Sequence, residues 1–146
     1  MKHLSSIWRD PRIAPYNLKQ LTPMDLHRDN RWKTRDLPSI QRDGLWYPIM
    51  LYKISPSWWY DVFLTHRADS VSYVEHPHIN NDGMIWGVKA GSNRWQCAEY
   101  LGYDTIDAMM FEHSDDCAKM VIWHRECNPL NNPDCPPYTG AWGYLE

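Results

Sequence analysis

Residues 87–103 read GVKAGSNRWQCAEYLGY: a strand-like run reaches Ala-Gly-Ser-Asn-Arg and passes at once into an apolar-striped helix. The residue types at that junction suit an anion. Glycine at position 91 allows close backbone approach, and the first N–H groups of a helix have no partner within it. Ser92 and Asn93 add hydroxyl and amide donors, Arg94 adds a planar cationic fork for phosphate oxygens, and Lys89 adds a second charge at the strand end. A tight strand-to-helix turn with an ordinary cap accounts for the same letters, and the motif alone does not separate the two.

Other candidates lie further off in sequence. Asp43, just before a Gly44 turn, and Glu126 or His124 near the end of the last helix are carboxylate and imidazole groups that could serve as a general base. The ordinary reading of each is a solvated charge at a helix end. A basic run, HRDNRWKTR, sets Arg28, Arg31, Lys33 and Arg35 against one Asp, with Trp32 among them. Cations interleaved with an aromatic suit a nucleic-acid strand, whereas a solvated basic helix face is the ordinary alternative. No metal site is expected. Cys127, Cys135 and His124 match no zinc spacing, Cys97 and Cys117 read as buried structural thiols, and His76 and His78 flank Pro77 in a loop.

These residues need a frame to hold them. At 146 residues the chain suits one domain with a real core. Its net charge of −3 argues against a surface coated in Lys and Arg for nonspecific polyanion binding. No apolar run reaches a membrane span and the N-terminus lacks a signal-peptide core, so a soluble, cytoplasmic protein is expected. The nine tryptophans are scattered, which favours packing; only the pair Trp58-Trp59 leaves a stacking role open.

Along the chain, residues 1–15 read as an irregular arm, 16–128 as the domain and 129–146 as a Pro-rich tail. A short strand is expected before Pro23. Asp36 reads as the N-cap of a helix with Pro38 in its first turn and Gly44 past its end. YPIMLYKI reads as a buried strand, WWYDVFLTH and ADSVSYVEH as two further strands, and NNDG as a turn. Then follow strand MIWGVKA, helix SNRWQCAEYLG closed by Gly102, strand DTIDAMMFE and helix SDDCAKMVIWHREC. The sum is a small α+β domain, a mixed sheet with helices packed on it.

Two of these segments together resemble a known family. LPSIQRDGLWYPIMLY is similar to the first conserved box of ParB-type N-terminal domains, and GVKAGSNRWQCAEYLGYDTIDAMMF to the second, in the same order. The resemblance spans roughly residues 16–128 and implies the ParB/sulfiredoxin fold. It implies a nucleoside triphosphate whose phosphates sit at the turn of Gly91, Ser92, Asn93 and Arg94, with Mg2+ as a companion cation. Isolated domains of this kind are often encoded by phages, the provenance the resemblance implies. ParB members carry Glu where this chain has Ser92 and Arg where it has Asn93, so the turn itself holds no carboxylate for a cation. Sulfiredoxins place their reactive Cys at the position of Ser92, and a serine forms no thiolate. No helix-turn-helix segment follows, so a partition protein in the usual sense is not expected.

Three functions fit these readings. The first is a nucleotide-dependent phosphotransferase or NTPase; the second is a ParB-like nuclease or DNA-binding protein. The third is a noncatalytic regulatory module acting on a protein partner.

Overall fold

The computed structural model describes residues 2–27, 32–66, 71–72, 74 and 76–126, with the backbone alone at 27, 35, 71–72 and 122–126. It is a small α+β domain. The strands are β1 (His3–Leu4), β2 (Ala14–Asn17), β3 (Leu21–Pro23), β4 (Leu26–His27), β5 (Ile49–Ile54), β6 (Val71–Ser72), β7 (Ile85–Ala90) and β8 (Thr105–Phe111). The α-helices are α1 (Leu37–Asp43), α2 (Pro56–Asp61), α3 (Ser92–Tyr100) and α4 (Ser114–Glu126).

Six strands form a mixed sheet, in which β8 lies beside β5, β5 beside β7 and β7 beside β3, while β1 and β2 also pair with β8. β5 runs antiparallel to β7 and parallel to β8. β4 and β6 make a separate two-stranded ladder. The sheet is covered on both faces, which explains why β5 reads as a continuous apolar run rather than an alternating one. Ile49, Leu51, Ile106 and Ala108 pack with Ile40 of α1 and with Cys97 and Ala98 of α3. Their neighbours in sequence, Met50, Tyr52, Ile54, Met109 and Phe111, turn to the other face and pack with Trp59 of α2 and with Cys117 and Met120 of α4.

Three expectations need correction. WWYDVFLTH is helical: α2 is followed by a 3-10 turn at Phe63–His66. Ser55 caps α2 by accepting from the Trp58 N–H at 3.2 Å, and Pro56 stands in its first turn. The 1–15 arm is not irregular throughout, since it supplies β1 and the start of β2. Asp36 makes no side-chain cap to α1; the chain enters that helix through a π-helical turn, Trp32–Asp36.

The arm is fastened by one buried carboxylate. Asp107 on β8 accepts from the Ser6 N–H at 2.8 Å, from Arg9 Nη1 at 2.5 Å and hydrogen-bonds His3 Nε2 at 2.9 Å. The other ring nitrogen of His3 meets Thr105 Oγ1 at 2.7 Å. Burial pushes the Asp107 carboxyl up, but the Ser6 N–H, Arg9 and His3 together outweigh it and hold it below the ordinary value.

Candidate functional site

The junction of β7 and α3 opens onto a two-lobed cleft. One lobe, of about 210 Å3, is polar and is lined by Asp25, Asp36, Lys89 and the consecutive residues Gly91, Ser92, Asn93 and Arg94. The other, of about 350 Å3, has largely apolar walls, among them Ile40, Leu45, Trp46, Tyr47, Met50 and Val121. Asp36 and Arg94 line both lobes and mark the boundary between them.

The local sequence explains the polar lobe. Gly91 holds φ 115 and ψ 21, left-handed values that turn the strand into the helix. It makes no side-chain cap, and no acidic residue lies in the first turn of α3. The positive end of the helix dipole therefore meets the lobe without a fixed counter-charge from its own first turn. Ser92 is buried; its Oγ accepts from the Asp25 N–H at 3.3 Å, tying the loop after β3 to the helix start. Asn93 Oδ1 is shielded from solvent and has no hydrogen-bond partner among the described residues.

Gly91 has a second role that the sequence did not reveal. A Cβ there would stand 2.4 Å from Ile49 Cγ2 and 2.8 Å from Ile49 Cβ, far inside contact distance. The missing side chain faces the core. Close approach to β5, rather than to a ligand, is sufficient reason for glycine at this turn.

Arg94 is also anchored. Its Nη1 donates to the carbonyls of Tyr47 at 3.0 Å and Pro48 at 3.2 Å, fastening the segment before β5 to the first turn of α3. Both bonds leave one nitrogen at the far end of a rigid planar group, a position that the shorter, flexible stem of a lysine holds less well. Arg94→Lys is therefore expected to lower stability by up to about 1.5–3 kcal/mol, the range for hydrogen bonds involving a charged group. An unchanged midpoint in urea unfolding would show that this clamp contributes nothing.

The remaining candidates separate. Lys89 is exposed and lines the polar lobe with the turn residues. Asp43 lies beside the apolar lobe rather than in its lining: it accepts from Trp46 Nε1 at 3.3 Å, and Arg42 grips it through Nε at 3.0 Å and Nη2 at 2.9 Å. The Arg42 hydrogen bonds hold its carboxyl below the usual range, which makes it a weaker base. Glu126 and His124 lie on α4 with their side chains outside the described set, as is that of Arg35; Arg28 and Arg31 are wholly outside it. Trp32 is a correction. It is 7 % exposed, packs into the core and lies 5.5 Å from the Tyr100 ring, so it offers no surface for stacking a base. Of the basic run, the exposed Lys33 is the cation whose placement is described, with its Nζ 5.4 Å from the Trp32 ring centre.

Sequence reasoning missed Asp25 and Asp36 as site residues. Asp36 carried a signal, but one for a helix cap; Asp25 carried none. The cysteines offer no reactive thiolate among the described residues: burial pushes the thiols of Cys97 and Cys117 up to about 12. No helix of the described residues is long and apolar enough to cross a membrane.

Comparison with known proteins assigns no family: no protein-family model matches the chain, and no curated protein matches it.

Proposed function

We propose that the chain is a ParB/sulfiredoxin-like domain that binds a nucleoside triphosphate, with phosphates in the polar lobe and the nucleoside in the apolar lobe. One observation carries this reading. A bare helix N-terminus flanked by Lys89 lines a polar lobe, and an aromatic-walled lobe adjoins it across Arg94 and Asp36. The paired boxes in the sequence and a mixed sheet leading into a Gly-led helix support the same family.

The donor chemistry of the polar lobe also suits Mg2+. The cation takes one or two carboxylates together with phosphate oxygens and water, and Asp25 and Asp36 are the carboxylates at hand. Bound there, it would neutralise phosphate charge and polarise the transferring group. The protein's own contribution is to orient the phosphates through the Ser92 and Asn93 turn and to place Lys89 beside them. Ser92 keeps a hydroxyl hydrogen to donate while its oxygen accepts from Asp25.

Calorimetric titration of the common nucleoside triphosphates, with and without magnesium, tests the reading. A triphosphate is expected to bind more tightly than its nucleoside, and Lys89→Ala to weaken the triphosphate alone by about three- to fivefold, as for an exposed ion pair. Phosphate release on the same samples reads turnover. A nucleoside that binds as tightly as its triphosphate, or no heat from any of them at millimolar concentration, would remove phosphate recognition from the proposal.

A further inference from the structure

A second concave surface lies at the opposite end of the sheet. Met50 pairs with Ala90 at the cleft end of β5 and β7, whereas Ile54 pairs with Ile85 at the other end. There a groove of about 490 Å3 is lined by residues that include Lys53, Trp58, Met84, Glu112, His113 and Asp115. The residues around it are of unequal availability. Lys53 Nζ is already held between Asp82 Oδ2 at 3.2 Å and Glu112 Oε1 at 3.4 Å. Asp82 in turn accepts from Trp86 Nε1 at 3.1 Å and the Met84 N–H at 3.0 Å. Lys53 thus pairs with two carboxylates, Asp115 adds a third in the groove, and the formal balance in and beside it is negative. Glu112 remains open, its side chain 71 % exposed.

Trp58 is the apolar wall. Its ring stacks on Phe63 with centroids 5.8 Å apart and planes 6° apart, and the Ser55 cap fixes the helix turn that carries it. It is still 39 % exposed. Val62 lies one helical turn further along and is 40 % exposed, so the apolar surface continues past the groove. An indole held in place beside open carboxylates attracts a cation on two counts: the ring quadrupole and charge-assisted hydrogen bonds. A planar guanidinium can use both at once, which an ammonium does less well.

We infer that the groove docks an arginine on a segment of a partner protein, with the guanidinium against Trp58 and between Glu112 and Asp115. The apolar surface beyond it takes the side chains flanking that arginine.

The test uses the full chain, 15N-labelled, and two short acetylated alanine peptides, one carrying a central arginine and one carrying citrulline, its neutral isostere. The arginine peptide is expected to shift the Trp58 indole signal and the amides of residues 112–115 saturably, and the citrulline peptide is not. Trp58→Ala and Glu112→Gln should each weaken binding by about threefold or more. Glu112→Gln is at an exposed position and preserves shape, so it reads binding even where Trp58→Ala loosens α2. Equal shifts from citrulline, shifts confined to other surfaces, or no saturable shift at millimolar arginine peptide would each overturn the inference.

Discussion

Gly91→Ala is expected to destabilise the domain by about 2–5 kcal/mol, combining the cost of a left-handed residue with a Cβ and the cost of overpacking a filled core. The added carbon would fall 2.4 Å from a methyl of Ile49, which is fully buried on β5. Neither side yields cheaply: Ile49 belongs to the central sheet, and residue 91 sets the direction of α3. Gly102→Ala is the control. Gly102 also has positive φ, at 80°, but an added Cβ there would meet nothing within 4 Å. Its cost should stay near the conformational part alone, about 1 kcal/mol. Urea unfolding of the two variants separates the contributions, and Ile49→Ala should cost less in the Gly91→Ala background than alone, because it removes the methyl 2.4 Å from the added carbon although the Cβ at 2.8 Å stays. Equal destabilisation at positions 91 and 102 would refute the steric account. Because the glycine serves the core, lost nucleotide binding in a Gly91 variant would say nothing specific about phosphate. Lys89→Ala is the sharper probe.

Asp107→Asn should cost about 1.5–3 kcal/mol, the range for hydrogen bonds to a charged group, because the charge it leaves behind, on Arg9, is largely exposed. The side chain of Asp107 is 3 % exposed and is approached by the Ser6 N–H and Arg9, both donors, as well as by His3. The Ser6 N–H and Arg9 share Oδ2, so an asparagine oxygen there can still accept from both, but it carries no charge for Arg9 and turns an NH2 toward His3 Nε2. The pH dependence has a definite sign. The folded carboxyl titrates below its unfolded value, so its contribution is complete above the ordinary value of 3.8. It is lost as pH falls from there through the depressed folded value. Wild-type stability should therefore drop in that acid window by more than that of Asp107→Asn. Parallel pH profiles for the two proteins would contradict the assignment.

Several elements were legible because their signals are local. The apolar runs of β5, β7 and β8, the helix closed by Gly44 and the Gly91-to-Gly102 helix follow from side-chain period and turn chemistry within a dozen residues. The α2 segment shows where pattern fails. Its aromatic run suits a strand or a helix equally, and the Ser55-Pro56 start that distinguishes them was overshadowed by β-propensity. The two strands of the N-terminal arm are short, and their pairing depends on β8 about a hundred residues away, with Asp107 as the fastener. No window of the arm's own sequence contains that partner.

The candidate site divides in the same way. The turn with its bare helix N-terminus, and Lys89 beside it, was determined by the sequence, since neighbours along the backbone stay neighbours in the fold. Only tertiary structure decided the rest. It brought Asp25 and Asp36 to the lobe from separate segments, buried Trp32 in the core, set Asp43 beside the cleft in the grip of Arg42, and aimed the bare side of Gly91 at Ile49. Chain distance carries no record of which side chains meet when an interior closes to near-crystalline density, so these roles follow from packing rather than from residue type.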